Sequence, residues 1–148
     1  MKKFKFQLET LLNVTRRKKE DAEIKFAEAS RKLEECRAKL QILLRELAES
    51  QSEFADKTSA GKTITVNVIM MYNSYFNWKR HQIEEQQQII MQATRDKQQK
   101  LKLLMQLMTY LKSIEQLKEK RRNEYNAAVL AEEQKILDEI GLQLSVRN

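Results

Sequence analysis

Gly61 marks the one place where this chain has an evident way to turn. There is no proline anywhere, and the other glycine, Gly141, stands close to the end. Glycine and proline are the strongest punctuators of backbone direction, so their near absence removes most other means of breaking a helix. What remains is two very long helical segments joined at about residues 57–65. Such a chain folds back on itself once.

The residue types agree with that geometry. Charged residues make up 33% of the chain and aromatic residues 7%, a balance typical of long helices and coiled coils rather than of an enclosed globular core. With the apolar residues strung along a stripe, no closed pocket is expected, and an enzyme without a pocket is disfavoured. The net charge is +7. It is distributed in blocks: residues 1–21, 57–100 and 101–122 are basic, whereas 22–56 and 123–148 are acidic. Discrete blocks favour docking on a particular anionic surface over diffuse polyelectrolyte binding.

Cys36 is the only cysteine, so no intrachain disulfide can form, and a reducing compartment is the natural reading. The start, Met1-Lys2-Lys3-Phe4-Lys5-Phe6, is basic but lacks the apolar run of a secretory signal. The uncharged stretch after Lys62 is too short and too polar to span a bilayer. A soluble intracellular protein is expected.

From Leu8 the first segment follows a 4-3 spacing: Leu8, Leu12, Thr15, Lys19, Ala22, Phe26, Ala29, Leu33, Cys36, Leu40, Leu43, Leu47, Ser50 and Phe54. This is a heptad seam with charges filling the other positions, weakest at Thr15, Lys19 and Ser50. Lys57 to Thr65 breaks it. The alternation of Ile64, Val66 and Val68 with polar neighbours has strand period, but no second strand exists to pair with it, so it reads as an extended turn entering a helix near Asn67. The second stripe runs through Ile69, Tyr72, Phe76, Ile83, Ile90, Ala93, Leu101, Leu104, Leu107, Leu111, Ile114 and Leu117, thinning where Lys97 and Lys100 fall on it. It continues through Tyr125, Ala128, Ile136 and Ile140 to Gly141, a suitable helix stop. The expected fold is all-α. One antiparallel coiled-coil hairpin occupies residues 1–148, with a helix over 4–56, a turn over 57–66, a helix over 67–140 and a short tail over 141–148.

At about 1.5 Å per residue the first helix is roughly 75–80 Å long and the second roughly 110 Å. A turn centred near residue 61 sets residue i against residue 122 − i, so Phe4 is expected near Lys118. Everything past about Arg121 then overhangs, and its apolar residues need cover from another protein or a second copy. Folding also gathers Lys2, Lys3 and Lys5 beside Lys118, Lys120, Arg121 and Arg122, a cluster of cations only partly screened by salt. Near the turn, Tyr72 and Phe76 belong to the seam. Tyr75 and Trp78 point off it, as aromatic anchors of binding surfaces do.

Chemistry-bearing motifs are sparse. His81 is the sole histidine, with no Cys, second His or carboxylate expected at ligand spacing on its face, so no metal site is expected. Cys36 reads as a small apolar seam residue. Glu84 and Glu85 are adjacent and do not face each other, so they form no acid–base pair. No phosphate-cradling loop and no nucleophile–base arrangement is present, and no cofactor is implied.

Three segments carry a likeness. Phe6-Gln7-Leu8-Glu9-Thr10-Leu11-Leu12 is followed by a Lys/Arg-rich stretch and Glu20-Asp21-Ala22. Tyr72-Asn73-Ser74-Tyr75-Phe76 precedes Ile83-Glu84-Glu85-Gln86. Leu117-Lys118-Glu119-Lys120-Arg121-Arg122-Asn123-Glu124-Tyr125 leads to Glu132-Glu133-Gln134-Lys135-Ile136-Leu137-Asp138-Glu139-Ile140. In this order and spacing they resemble the FliJ family, the soluble coiled-coil component of the flagellar type III export apparatus. The resemblance implies an antiparallel two-helix coiled coil, similar to the central stalk of rotary ATPases. Such a protein inserts into the hexameric export ATPase ring and promotes its assembly. It also contacts the export gate membrane protein and escorts chaperones of late export substrates. Its location would be cytoplasmic, peripherally associated with the cytoplasmic face of the inner membrane.

On that basis Lys118, Lys120, Arg121, Arg122 and Tyr125 are candidates for binding the ATPase. Tyr72, Tyr75, Trp78 and Lys79 are candidates for the gate or chaperone contact, with Lys79 standing where related chains often carry an apolar residue. A generic scaffolding coiled coil explains the heptads but not the basic end or the one-sided overhang. Nucleic-acid binding would use the net charge but lacks an interleaved aromatic–basic surface. A membrane-surface helix needs a broader apolar face, so no direct bilayer insertion is expected.

Overall fold

A computed structural model describes residues 3–147 and contains two helices, α1 over Glu9–Lys57 and α2 over Val66–Arg147. They pack against each other as an antiparallel helical hairpin in which α2 is the longer. Among the described residues there is no strand. The chain separates into two compact units, one of Ala22–Leu103 and one formed by the residues before Ala22 with those from Leu104 onward.

The connection is built as its residues demand. Thr58 caps the end of α1, its hydroxyl and amide both donating to the Phe54 carbonyl at 2.8 and 3.0 Å. Gly61 sits at φ +86°, a left-handed conformation that a side chain resists. Thr65 then caps α2, accepting from the Val68 amide at 3.3 Å. The alternating residues around Val66 therefore enter a helix, and α2 begins one residue ahead of Asn67.

All fourteen seam residues read in the first segment, Leu8 and thirteen of α1, are buried or half-buried. The polar ones are accommodated locally: Thr15 Oγ1 donates to the Leu11 carbonyl at 2.7 Å and Ser50 Oγ to the Glu46 carbonyl at 2.8 Å. The α2 seam differs from expectation. Counting in 4-3 steps from Ile69, it passes through Lys79 and Gln86, which are 4% and 3% exposed, whereas Leu101, Ala128, Ile136 and Ile140 face solvent. Leu101 directly follows Lys100, which holds the seam position, so an apolar side chain there lies one step off the face.

Three further expectations are revised. First, α1 starts at Glu9 and not at residue 4. Phe4 and Phe6 both turn onto α2, which a helix would prevent, because residues two apart on a helix point in nearly opposite directions. Second, Phe4 lies against Arg122 and Tyr125 while Lys118 pairs with Glu9. That is about one helical turn beyond the expected pairing, so cover within the chain reaches past Arg121 to Tyr125. Third, α2 runs through Gly141 to Arg147. A lone glycine costs a helix only about 1 kcal/mol relative to alanine and does not stop it without a following left-handed turn.

In the unit containing the termini, Phe6, Leu12, Leu111 and Ile114 form a buried cluster with Phe4, Leu8 and Leu117 packed against it. From residue 130 to 147 every residue is exposed, including Leu130, Leu137, Leu142 and Val146.

Candidate functional site

Two groups of side chains stand out, one in each unit. In the terminal unit the non-helical segment before α1 lays two phenylalanines under two arginines. The Arg121 guanidinium lies 5.7 Å from the Phe6 ring centre, and that of Arg122 lies 5.4 Å from Phe4. Phe4 also meets Tyr125 at 5.7 Å. Lys118 Nζ is 2.9 Å from Glu9 Oε2, and Arg16 lies 3.6 Å from Glu115.

Of the cations expected to crowd here, Lys118 is paired with Glu9 and the two arginines lie over rings, an attraction that offsets part of their mutual repulsion. Lys120 and Arg122 are exposed and Arg121 is half-buried. Lys3 and Lys5 are exposed, and Lys2 lies outside the described residues. Phe4 and Phe6 as partners of the arginines escaped the sequence reading. Their spacing of two, just ahead of the heptads, was the available signal.

In the loop-end unit Phe54 packs on Tyr72 at 5.1 Å and edge-on to Phe76 at 5.7 Å, making Tyr72 part of the interhelical packing. Tyr75 is half-buried and meets Trp78 at 6.0 Å; Trp78 is 54% exposed. These two point off the seam as expected. Lys79 is a different kind of residue from the one the sequence suggested. It is buried in the seam and donates to Glu46 Oε2, while its ammonium also lies 5.4 Å from the Tyr75 ring and 5.2 Å from Trp78.

The hydrogen bond to Glu46 holds the Lys79 pKa above its ordinary value, outweighing the opposing effect of burial. Lys57 is likewise raised, through its interaction with Tyr72, from whose ring centre its ammonium lies 5.2 Å. The Lys79 ammonium thus lies between Glu46 and the rings of Tyr75 and Trp78. Below it in the seam, Gln86 Nε2 donates to the Cys36 carbonyl at 2.9 Å.

His81 has a neighbour that the spacing argument overlooked. Glu85, four residues on, lies 3.0 Å from Nε2 as an exposed helical pair. Among the described residues no cluster of His, Cys, Asp and Glu is arranged to hold a metal ion, and no helix is long and apolar enough to cross a membrane.

The comparison with protein families returns the flagellar FliJ protein, matched over residues 4–148. The chain belongs to the FliJ family. No curated protein and no solved structure gives a significant match. Membership of the FliJ family across essentially the whole chain makes this a component of flagellar protein export. Both side-chain groups described above fall inside the matched region.

Proposed function

We propose that this FliJ-family chain is the stalk-like coiled coil of the export machinery. Its terminal end enters the ring of the export ATPase and promotes ring assembly. Its loop-end aromatic surface meets the cytoplasmic part of the export gate and the chaperones of late substrates. In this role it works in the cytoplasm, held peripherally at the inner membrane by those partners.

The observation that carries the reading is the pair of arginines braced on Phe6 and Phe4 where α2 outruns the rest of the chain. A guanidinium stacked on a ring keeps its in-plane donors available and loses less rotamer freedom when it grips a carboxylate. Acidic loops lining a ring channel are the complementary surface. Each close pair contributes about 1–3 kcal/mol if desolvated and less at a rim. Lys120 and Arg122 make the contacts, Arg121 and Tyr125 shape the surface, and Lys118, held by Glu9, positions the helix. Tyr75 and Trp78 are the anchors of the second surface, with Tyr72 and Lys79 supporting them from within.

The test is to follow ATP turnover and ring formation when the purified protein meets its own organism's export ATPase. Lys120→Glu with Arg122→Glu is expected to abolish stimulation with helical content unchanged. Lys32→Glu with Lys39→Glu, exposed positions in the other unit, is expected to leave stimulation intact. If both double variants stimulate like the parent, the terminal end is not the ATPase-binding end.

A further inference from the structure

Beside the seam that α1 occupies, the loop-end unit carries a second stripe on α2. Val68, Met71, Tyr75, Trp78, Gln82 and Ile89 keep heptad steps, one flank away from the seam positions Tyr72, Lys79 and Gln86. The stripe is not covered: Met71 is 70% exposed, Trp78 54% and Ile89 46%. Val68, Met71, Tyr72 and Tyr75 form one wall of a concavity of about 410 Å³, and Ser50, Glu53 and Lys57 of α1 form the other.

The α1 wall has its own periodicity. Glu46, Glu49, Glu53 and Asp56 recur in 3-4-3 steps along α1, and Glu53 lines the concavity itself. Glu46 is taken by Lys79, and Glu53 acts on Lys57 through space. Glu49 and Asp56 are exposed and have no ion pair among the described residues. Gln82 Oε1, on the apolar stripe, is buried and accepts no hydrogen bond.

We propose that the groove between the Val68–Trp78 stripe and the Glu49–Asp56 flank is the docking site for a basic amphipathic helix of a partner protein. A 3-4 stripe is matched by another helix, whose apolar residues recur with the same period and seat as knobs between Met71, Tyr75 and Trp78. The acidic wall selects the sign of that helix, with lysine or arginine flanking its apolar stripe and reaching Glu49, Glu53 and Asp56. The proposal deepens the gate or chaperone contact put forward above and rests on that reading for its biological setting. Its chemistry is tested apart from it.

Trp78 is the only tryptophan in the chain, so its fluorescence reports on this groove alone. The full-length protein is titrated with a synthetic helical peptide carrying leucine on its apolar stripe and lysine on both flanks. A counterpart with glutamate in place of lysine serves as control. Expected is a blue shift of Trp78 emission with the lysine peptide and none with the glutamate peptide. Glu49→Lys with Glu53→Lys and Asp56→Lys should weaken binding about tenfold, the effect of several rim charges reversed together, while Met71→Ser should weaken it with charge unchanged. Circular dichroism confirms that each variant keeps its helix content.

Equal or tighter binding of the glutamate peptide overturns the proposal. So does an unchanged affinity in the triple variant. A blue shift on phosphatidylglycerol vesicles without peptide makes the occupant a lipid surface, and one that grows with protein concentration alone makes it a second copy. Either result also overturns it. Motility of cells carrying Trp78→Ser tests the gate or chaperone reading separately: lost motility, when the parent protein fails to bind the lysine peptide, keeps that reading and sinks this one.

Discussion

Lys79 is the residue whose replacement tests the packing argument most sharply. Its side chain is 4% exposed and its partner Glu46 is 44% exposed, so the pair is buried at one end and wet at the other. Glu46→Gln leaves an ammonium in the seam with only a neutral acceptor. A hydrogen bond to a charged group is worth about 1.5–3 kcal/mol, and the half-exposed carboxylate argues for the lower end, so the expected loss is about 1.5 kcal/mol. Lys79→Met is different. It removes the buried charge, fills similar volume with an adaptable apolar chain, and leaves Glu46 able to turn to water. Replacing such a pair by an apolar residue is commonly neutral or stabilising.

Urea unfolding followed by circular dichroism reads both. With a denaturant slope of about 2 kcal/mol per molar, Glu46→Gln should lower the midpoint by about 0.7 M, and Lys79→Met should leave it unchanged or raise it. The pH dependence adds a signed check. The Lys79 pKa is raised on folding, so its contribution is fully present below the ordinary lysine value of 10.5 and fades as pH climbs through the higher folded value. The parent should therefore lose stability relative to Lys79→Met above pH 10.5 and not between pH 7 and 9. Equal destabilisation by the two variants, or no effect of Glu46→Gln, would refute the view that the ion pair compensates a buried charge.

The two glycines should respond to alanine with opposite signs. Gly61→Ala is strained at φ +86° and should cost about 1 kcal/mol, whereas Gly141→Ala, with open space around it in an exposed helix, should raise helix content and gain up to about 1 kcal/mol locally. Amide exchange should be fast over residues 130–147, which bury nothing within the chain. It should be slower over residues 9–15 than their position near the terminus suggests, because Leu12 and Thr15 are buried there; uniform protection through residue 147 would mean that another chain covers the overhang.

Much of the fold was legible because one physical signal dominates it. A seam needs apolar residues at 4-3 spacing, and the first segment supplies them from Leu8 to Phe54 with so few exceptions that the inward face and the turn could both be read. The errors fall where that signal is silent. Lys79 and Gln86 hold seam positions without being apolar. Their burial depends on Glu46 and on the Cys36 carbonyl, which come from the other helix and cannot be read from their own neighbourhood. Phe4 and Phe6 follow no heptad because they precede the helix, and their burial comes from Leu111, Ile114, Leu117, Tyr125 and the two arginines of α2.

The sequence by itself therefore determined the class of fold, the single turn at Gly61 and the inward face of α1. Each of these rests on local periodicity and backbone freedom, which neighbouring residues encode. Tertiary structure alone decided the pairing offset that sets Phe4 against Tyr125 and Lys118 against Glu9. It also decided which polar residues could be buried, and which cations remain exposed at the terminal end. The reason is that a buried charge or amide is tolerated only where a partner distant in the chain arrives to satisfy it.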